Sequence, residues 1–133
     1  MLSGNYRKDK AVRFKSRGEI QIARLLNRHG IRFLYEHPLA VVDREKVRIW
    51  YPDFQLPEYG IIMEYFGFMG KDSYDEQVRH KMDVYGNMGI EGVFLKEPCF
   101  TGYWPGRILG QLEGILQDRF IRFQQRTDRS CLK

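Results

Sequence analysis

Cysteine is scarce in this chain. Its two cysteines, Cys99 and Cys131, stand far apart and show no CxxC spacing, which argues against a disulfide framework or a zinc ribbon. Histidine is equally sparse: His29, His37 and His80 form no metal pair at helical spacing. No apolar run reaches the length of a membrane span, and the basic start, MLSGNYRKDKAVRFKSRGE, is not followed by the apolar stretch of a secretory signal. No Ser or Cys sits in a nucleophile elbow. The segment Gly67-Phe-Met-Gly70-Lys71-Asp72 is too short for a phosphate loop and lacks Ser or Thr after the lysine. No organic cofactor is expected. Internal repeats, low-complexity stretches and linkers rich in Pro, Gly or Ser are also missing.

What is present is the balance of a soluble globular protein in a reducing compartment. With 133 residues, 43% hydrophobic and 29% charged, a single domain over 1–133 is expected, able to bury a core without disulfide or structural metal. The net charge of +5 is unevenly placed. Residues 1–17 are net +5 and residues 119–133 net +4, while residues 18–118 are net −4. Basic ends around an acidic middle suit a protein that grips a polyanion at its edges and metal ions at its centre. Solvated tails at both ends fit the same numbers.

The pattern predicts an α/β fold in the order α-β-β-β-α-β-α, with a mixed sheet flanked by helices. Ser16 and Glu19 have capping-box spacing, and Ile20, Ala23 and Leu26 carry a helix to about His29, stopped at Gly30. Strands are expected at Ile31–Glu36, ended or interrupted by Pro38, at Val47–Tyr51 running on into Phe54 after a polar turn at Asp43-Arg-Glu-Lys46, at Ile61–Phe66, and at Gly92–Leu95. The third is almost wholly apolar, which predicts a central strand. A second helix is expected from Ser73 to about Met88, with Tyr74, Val78, Met82 and Tyr85 as its apolar face. Pro98 to Gly106 reads as an aromatic loop. A last helix over about 107–125 turns Ile108, Leu112, Ile115, Leu116, Phe120 and Phe123 to one side, for core packing or a dimer contact.

The sharpest local feature is Tyr51-Pro52-Asp53-Phe54 followed, ten residues on, by Glu64-Tyr65-Phe66. Carboxylates on adjacent strands can share a divalent ion, and like charges that close are costly without a cation or a proton. The spacing also fits an Asp53 that caps a turn and a Glu64 that faces solvent. Glu19 can be the arm of the capping box or a third acid. Lys81 lies beside the apolar face of the second helix, either reaching towards the acids or snorkelling to water.

Together these residues resemble the PD-(D/E)XK nuclease superfamily over about residues 16–97. Pro52-Asp53 matches the PD element, Glu64 the following acid, and Glu19 in Ser16-Arg-Gly-Glu19 the acid of the first helix. The superfamily lysine belongs two residues after the acid, where this chain has Phe66. The run Glu64-Tyr-Phe-Gly67 with Tyr74, Lys81 and Tyr85 is similar to a branch, found in nuclease-like domains of some DNA helicases, in which the lysine has moved to the next helix.

The resemblance implies a restriction-endonuclease-like core, α-β-β-β-α-β, with a basic segment at 1–15 before it and the C-terminal helix after it. It implies a metal-dependent endonuclease hydrolysing DNA phosphodiesters, in repair, recombination, restriction or mobile-element processing. Asp53, Glu64, Lys81 and Glu19 would be catalytic. Asp53, Glu64 and the Tyr65 carbonyl would hold Mg2+, with Mn2+ as a substitute. Arg13, Lys15, Lys71, Arg122 and Arg126 would contact the DNA backbone, and Lys71 is a reserve for the lysine role. A duplex cutter would favour a homodimer. The location implied is cytoplasmic or nucleoid-associated. The alternative is a catalytically inactive domain of the same fold that binds nucleic acid or acts in assembly.

Overall fold

Ser16 begins the first helix as its side chain accepts the Glu19 N–H at 3.1 Å, satisfying one of the donors that a helix start leaves open. In this computed structural model, which describes residues 13–67, 70–97 and 99–131 (the last four by backbone alone), that helix is α1, Arg17–Arg28. There follow β1 (Leu34–Tyr35), β2 (Leu39–Asp43), β3 (Lys46–Trp50), β4 (Phe54–Leu56), β5 (Ile61–Tyr65), α2 (Lys71–Asn87), β6 (Glu91–Leu95) and α3 (Trp104–Cys131). The chain is thus mixed α/β, and it divides into two compact units, Met1–Phe100 and Thr101–Lys133. Most of the basic segment 1–15 lies outside the described residues.

The first unit holds a four-stranded sheet of order β1-β4-β5-β6. β1, β4 and β5 run antiparallel and β6 parallel to β5, so the sheet is mixed. Taken over this sheet, the chain order is helix, three strands, helix, strand. β5 is interior and buried over Ile61–Glu64, as its apolar sequence predicts.

α1 meets the face of the sheet that carries Tyr65. Its residue Gly18 lies so close to that ring that a Cβ there would come within 2.3 Å of it. Ile22, Leu25 and Leu26 of α1 are buried, as are Phe33 and Phe54, whose rings meet edge to face at 5.3 Å. α2 covers the opposite face, where Val84 and Tyr85 pack with Ile62 and Val41.

Between β1 and β4 the chain makes a separate two-stranded sheet, β2–β3, absent from the expected order. The hairpin turns on Arg44 and Glu45, both at positive φ (53° and 66°). A two-residue hairpin turn requires such angles, and glycine or asparagine usually supplies them. The polar run Asp43-Arg-Glu-Lys46 reads as a turn without them, as the structure has it, but the strand beginning at Leu39 is hidden behind Pro38.

Other boundaries also differ. The expected first strand, Ile31–Glu36, pairs only at Leu34 and Tyr35. The expected second strand is two strands in different sheets, broken at Tyr51–Asp53, where Pro52 has no N–H to give to a ladder. Lys71 is the first residue of α2 and not part of a loop. Met82 is 56% exposed, and the inward ridge of α2 runs Tyr74, Val78, Lys81, Tyr85.

In the second unit, α3 begins at Trp104, two residues before the expected loop ends, because proline is at home in a first helical turn. Ile108 and Leu112 are buried, Ile115 and Leu116 half-buried, and Phe120, Ile121 and Phe123 exposed. Among the described residues no helix is long and apolar enough to cross a membrane.

Candidate active site

Phe54 pairs with Met63 across β4 and β5, and the same antiparallel register continued by one residue sets Asp53 opposite Glu64. Residues directly opposite in a ladder project to the same side. The pairing is fastened at the main chain, since the Tyr65 N–H donates to Asp53 Oδ2 at 2.7 Å.

Glu64 is buried at 5% exposure on a strand that is otherwise apolar. An isolated carboxylate there would be very costly, and two groups from α2 offset that cost. Lys81 Nζ donates to Oε1 at 2.5 Å, and the Tyr85 hydroxyl donates to Oε2 at 2.6 Å. Lys81 and Tyr85 are four residues apart, one helical turn, and so project to one side. The Lys81 side chain remains 26% exposed, so its ammonium stands where the buried acid meets solvent.

Glu19 is also buried, at 5% exposure. Its Oε1 accepts from the Tyr35 hydroxyl at 2.7 Å and from the Lys15 N–H at 2.9 Å. The capping box thus reaches one residue further back than its usual partner, the backbone N–H of the cap itself. Tyr65 ties the two sides together: its N–H holds Asp53, its ring lies over Gly18, and its hydroxyl donates to Glu97 at 2.7 Å. The absence of a side chain at Gly18 allows Glu19 to stand beside the strand ends.

The electrostatics follow from this crowding. Burial pushes the Asp53 carboxyl up from 3.8 to about 7, and the charges of Glu19 and Glu64 add to the rise. The Tyr65 N–H and Lys81 oppose it. The Tyr85 and Tyr35 phenols are raised, first by burial and then by the carboxylates Glu64 and Glu19 respectively, which keeps both as hydrogen-bond donors.

The donor set fits a hard divalent cation. Asp53 makes its one side-chain hydrogen bond among the described residues through Oδ2. Each ionised carboxylate offers about four lone-pair sites, so Glu64 keeps acceptor capacity beyond its two bonds. Among the described residues no three His, Cys, Asp or Glu side chains converge tightly enough to cage a metal alone. Magnesium needs no such cage, since it takes one or two carboxylates and completes its shell with water and phosphate oxygens.

Four of the sequence-derived candidates therefore share one electrostatic site, with Glu19, Glu64 and Lys81 all acting on Asp53. The basic residues are placed differently. Lys15 borders the site but is ion-paired with Glu36 at 2.6 Å. Arg13 is exposed just before it. Lys71 is exposed at the start of α2, and it is Lys81 that reaches Glu64. Arg122 and Arg126 lie exposed on α3 in the second unit, Arg122 at 3.5 Å from Asp118.

Several polar groups in and around the site have partners that hydrophobic pattern does not show. Tyr85 reads as an apolar ridge residue, yet its hydroxyl holds Glu64. The Tyr35 hydroxyl does the same for Glu19. Asp43 at the end of β2 is buried, accepts from His80 Nε2 at 3.0 Å, and has an Oδ1 without a hydrogen-bond partner among the described residues. No protein-family model, no curated protein and no solved structure matches the chain.

Proposed function

We propose that the chain is a metal-dependent nuclease with a PD-(D/E)XK, restriction-endonuclease-like core, hydrolysing DNA phosphodiester bonds. The observation that carries this reading is that Asp53 and Glu64 stand opposite each other at the ends of β4 and β5, the first held by the Tyr65 N–H and the second by Lys81 of α2. The order of elements in the main sheet, helix, three strands, helix, strand, supports the same family.

Asp53 and Glu64 would hold Mg2+ or Mn2+, with the backbone carbonyl of Tyr65 as a further ligand. A divalent ion there supplies Lewis acidity towards phosphate and water. The chain's own groups do the rest. Tyr85 and the Tyr65 N–H hold the two carboxylates in orientation. Lys81, already at the solvent boundary, neutralises charge building on the phosphoryl oxygens or orients the attacking water. Glu19, fixed by Tyr35, would act through a water or at a second metal position. Arg13, Lys15 and Lys71 contribute positive charge along the approach, without reading bases.

The test is incubation of the protein with plasmid, branched and single-stranded DNA, in magnesium, in manganese and in chelator. Metal-dependent cleavage that is lost in Glu64→Gln is the expected result. Salt-sensitive binding with no cleavage under either metal would leave the non-catalytic, nucleic-acid-binding reading of the same fold.

A further inference from the structure

Beside the carboxylates a cavity of about 430 Å³ opens between the exit of the β2–β3 hairpin and α2. Trp50, Tyr51 and Pro52 form one wall, and Gln77, His80 and Lys81 line the other. Glu64 and Tyr85 also line it, so the cavity and the proposed catalytic site share a surface. We propose that this cavity binds one unpaired nucleotide of the strand being cut, which makes the substrate single-stranded at the cleavage point. The inference rests on the nuclease reading and names its substrate class.

Three features support that occupant over others. The volume lies within the ~300–1,000 Å³ of small-ligand pockets, which suits one nucleotide. The aromatic wall is held in place before any ligand arrives. The Trp50 ring meets Tyr85 edge to face at 5.5 Å and lies 6.0 Å from the His80 ring. Tyr51, at 62% exposure, adds a ring open to stacking. Finally, the opposite wall is polar and bears a cation. Lys81 Nζ, 5.8 Å from the Trp50 ring centre, stands between the aromatic wall and Glu64. The Gln77 amide, exposed on α2, offers both a donor and an acceptor to a base edge. An apolar peptide would leave that polar wall unpaired.

A nucleotide fits this arrangement with its base against the aromatic wall and its phosphate towards Lys81. Stacking on aromatic side chains tolerates any base and is lost without a ring. A base within a duplex is already stacked on both faces, so only an unpaired or extruded nucleotide can enter. The hairpin packs Val41 into the core beside Ile62 and Tyr85, and it also carries Trp50 and Tyr51 to the edge of the site.

Fluorescence anisotropy tests this with a labelled 12-nucleotide strand, the same strand with one central abasic position, and the corresponding duplex, all in chelator so that nothing is cut. The single strand is expected to bind at least tenfold more tightly than the duplex. Tyr51→Ala should lower single-strand affinity about tenfold, Tyr51→Phe should restore it, and duplex affinity should not change. Gln77→Ala, on the exposed side of α2, should weaken the single strand by a smaller factor. Equal affinity for both forms, or no response to Tyr51→Ala, overturns the proposal. These readouts do not depend on cleavage. Tyr51-dependent single-strand binding without metal-dependent cleavage would overturn the nuclease reading alone, and cleavage that ignores Tyr51 would overturn this proposal alone.

Discussion

The ammonium of Lys81 lies 5.3 Å from the centre of the Phe66 ring, the side chain that stands two residues after Glu64. Residues two apart on a strand share a face, so position 66 projects to the same side as Glu64. A lysine there and a lysine from α2 would bring their charge to the same place. In this chain the helix delivers the charge and the strand position holds a ring beneath it, a cation–π contact that helps fix the ammonium.

Exchange of the two positions is therefore expected to work in part. Lys81→Ala should lower metal-dependent cleavage by roughly 10²–10³-fold, the usual loss for one preorganised charge-stabilising donor. Adding Phe66→Lys to that variant should recover a measurable fraction of the rate. Single-turnover cleavage with each protein is the measurement. Phe66→Lys on its own, with Lys81 intact, should give no gain.

Tyr85 holds a buried carboxylate, so its hydroxyl matters more than its ring polarity suggests. Tyr85→Phe leaves Glu64 Oε2 without its donor and should destabilise the protein by about 1–3 kcal/mol. The edge-to-face contact with Trp50 and the stacking on Phe94 survive that substitution. Urea unfolding followed by circular dichroism would register it. A value near zero would mean that solvent replaces the phenol at Glu64.

Gly18→Ala places a methyl 2.3 Å from a Tyr65 ring carbon. Either the ring or α1 must move, at a cost of about 1–3 kcal/mol. Because Glu19 is the next residue, cleavage should fall along with stability. Replacing Tyr65 by Leu in the same chain should restore stability more than cleavage, since the Tyr65 N–H remains but the ring and its bond to Glu97 are lost.

A metal bound at Asp53 as proposed would compete with a proton. Its carboxyl titrates at 3.8 in the unfolded chain and at about 7 in the folded one. Between those values the folded state holds a proton that the unfolded state has released, so metal-free stability falls as the pH rises towards 7 and then levels. Mg2+ should offset that loss, with a stabilising effect that grows with pH through the same window because binding displaces the proton. Thermal unfolding from pH 4 to 8, with magnesium and with chelator, measures both effects. Asp53→Asn should flatten the metal-free slope and remove the magnesium effect.

The site was more legible in the sequence than the sheet around it. Ser16 with Glu19 announces a helix start, and the apolar run Ile61–Phe66 announces a central strand, while the burial of the Glu64 that interrupts it is visible only in the structure. Both depend on local composition, and both stand in the structure. The turn at Asp43–Lys46 is legible from its polar residues, but the strand Leu39–Asp43 before it is not, because it follows directly on Pro38. The inward ridge of α2 was misread by one residue. Periodicity favours methionine over lysine at a ridge position, whereas the fold exposes Met82 and turns Lys81 inward to meet Glu64. Hydrophobic pattern has no term for a carboxylate on the far side of the interface. For the same reason Tyr85 and Tyr35 read as packing residues until their hydroxyls are seen on the acids.

In the proposed chemistry Asp53 and Glu64 share a divalent ion. Crystals soaked in manganese and measured at its absorption edge test it most directly. The expected result is an anomalous peak bound by both carboxylates, absent in Asp53→Asn crystals. A peak elsewhere, or no peak at manganese concentrations that occupy known sites of this type, would contradict the account.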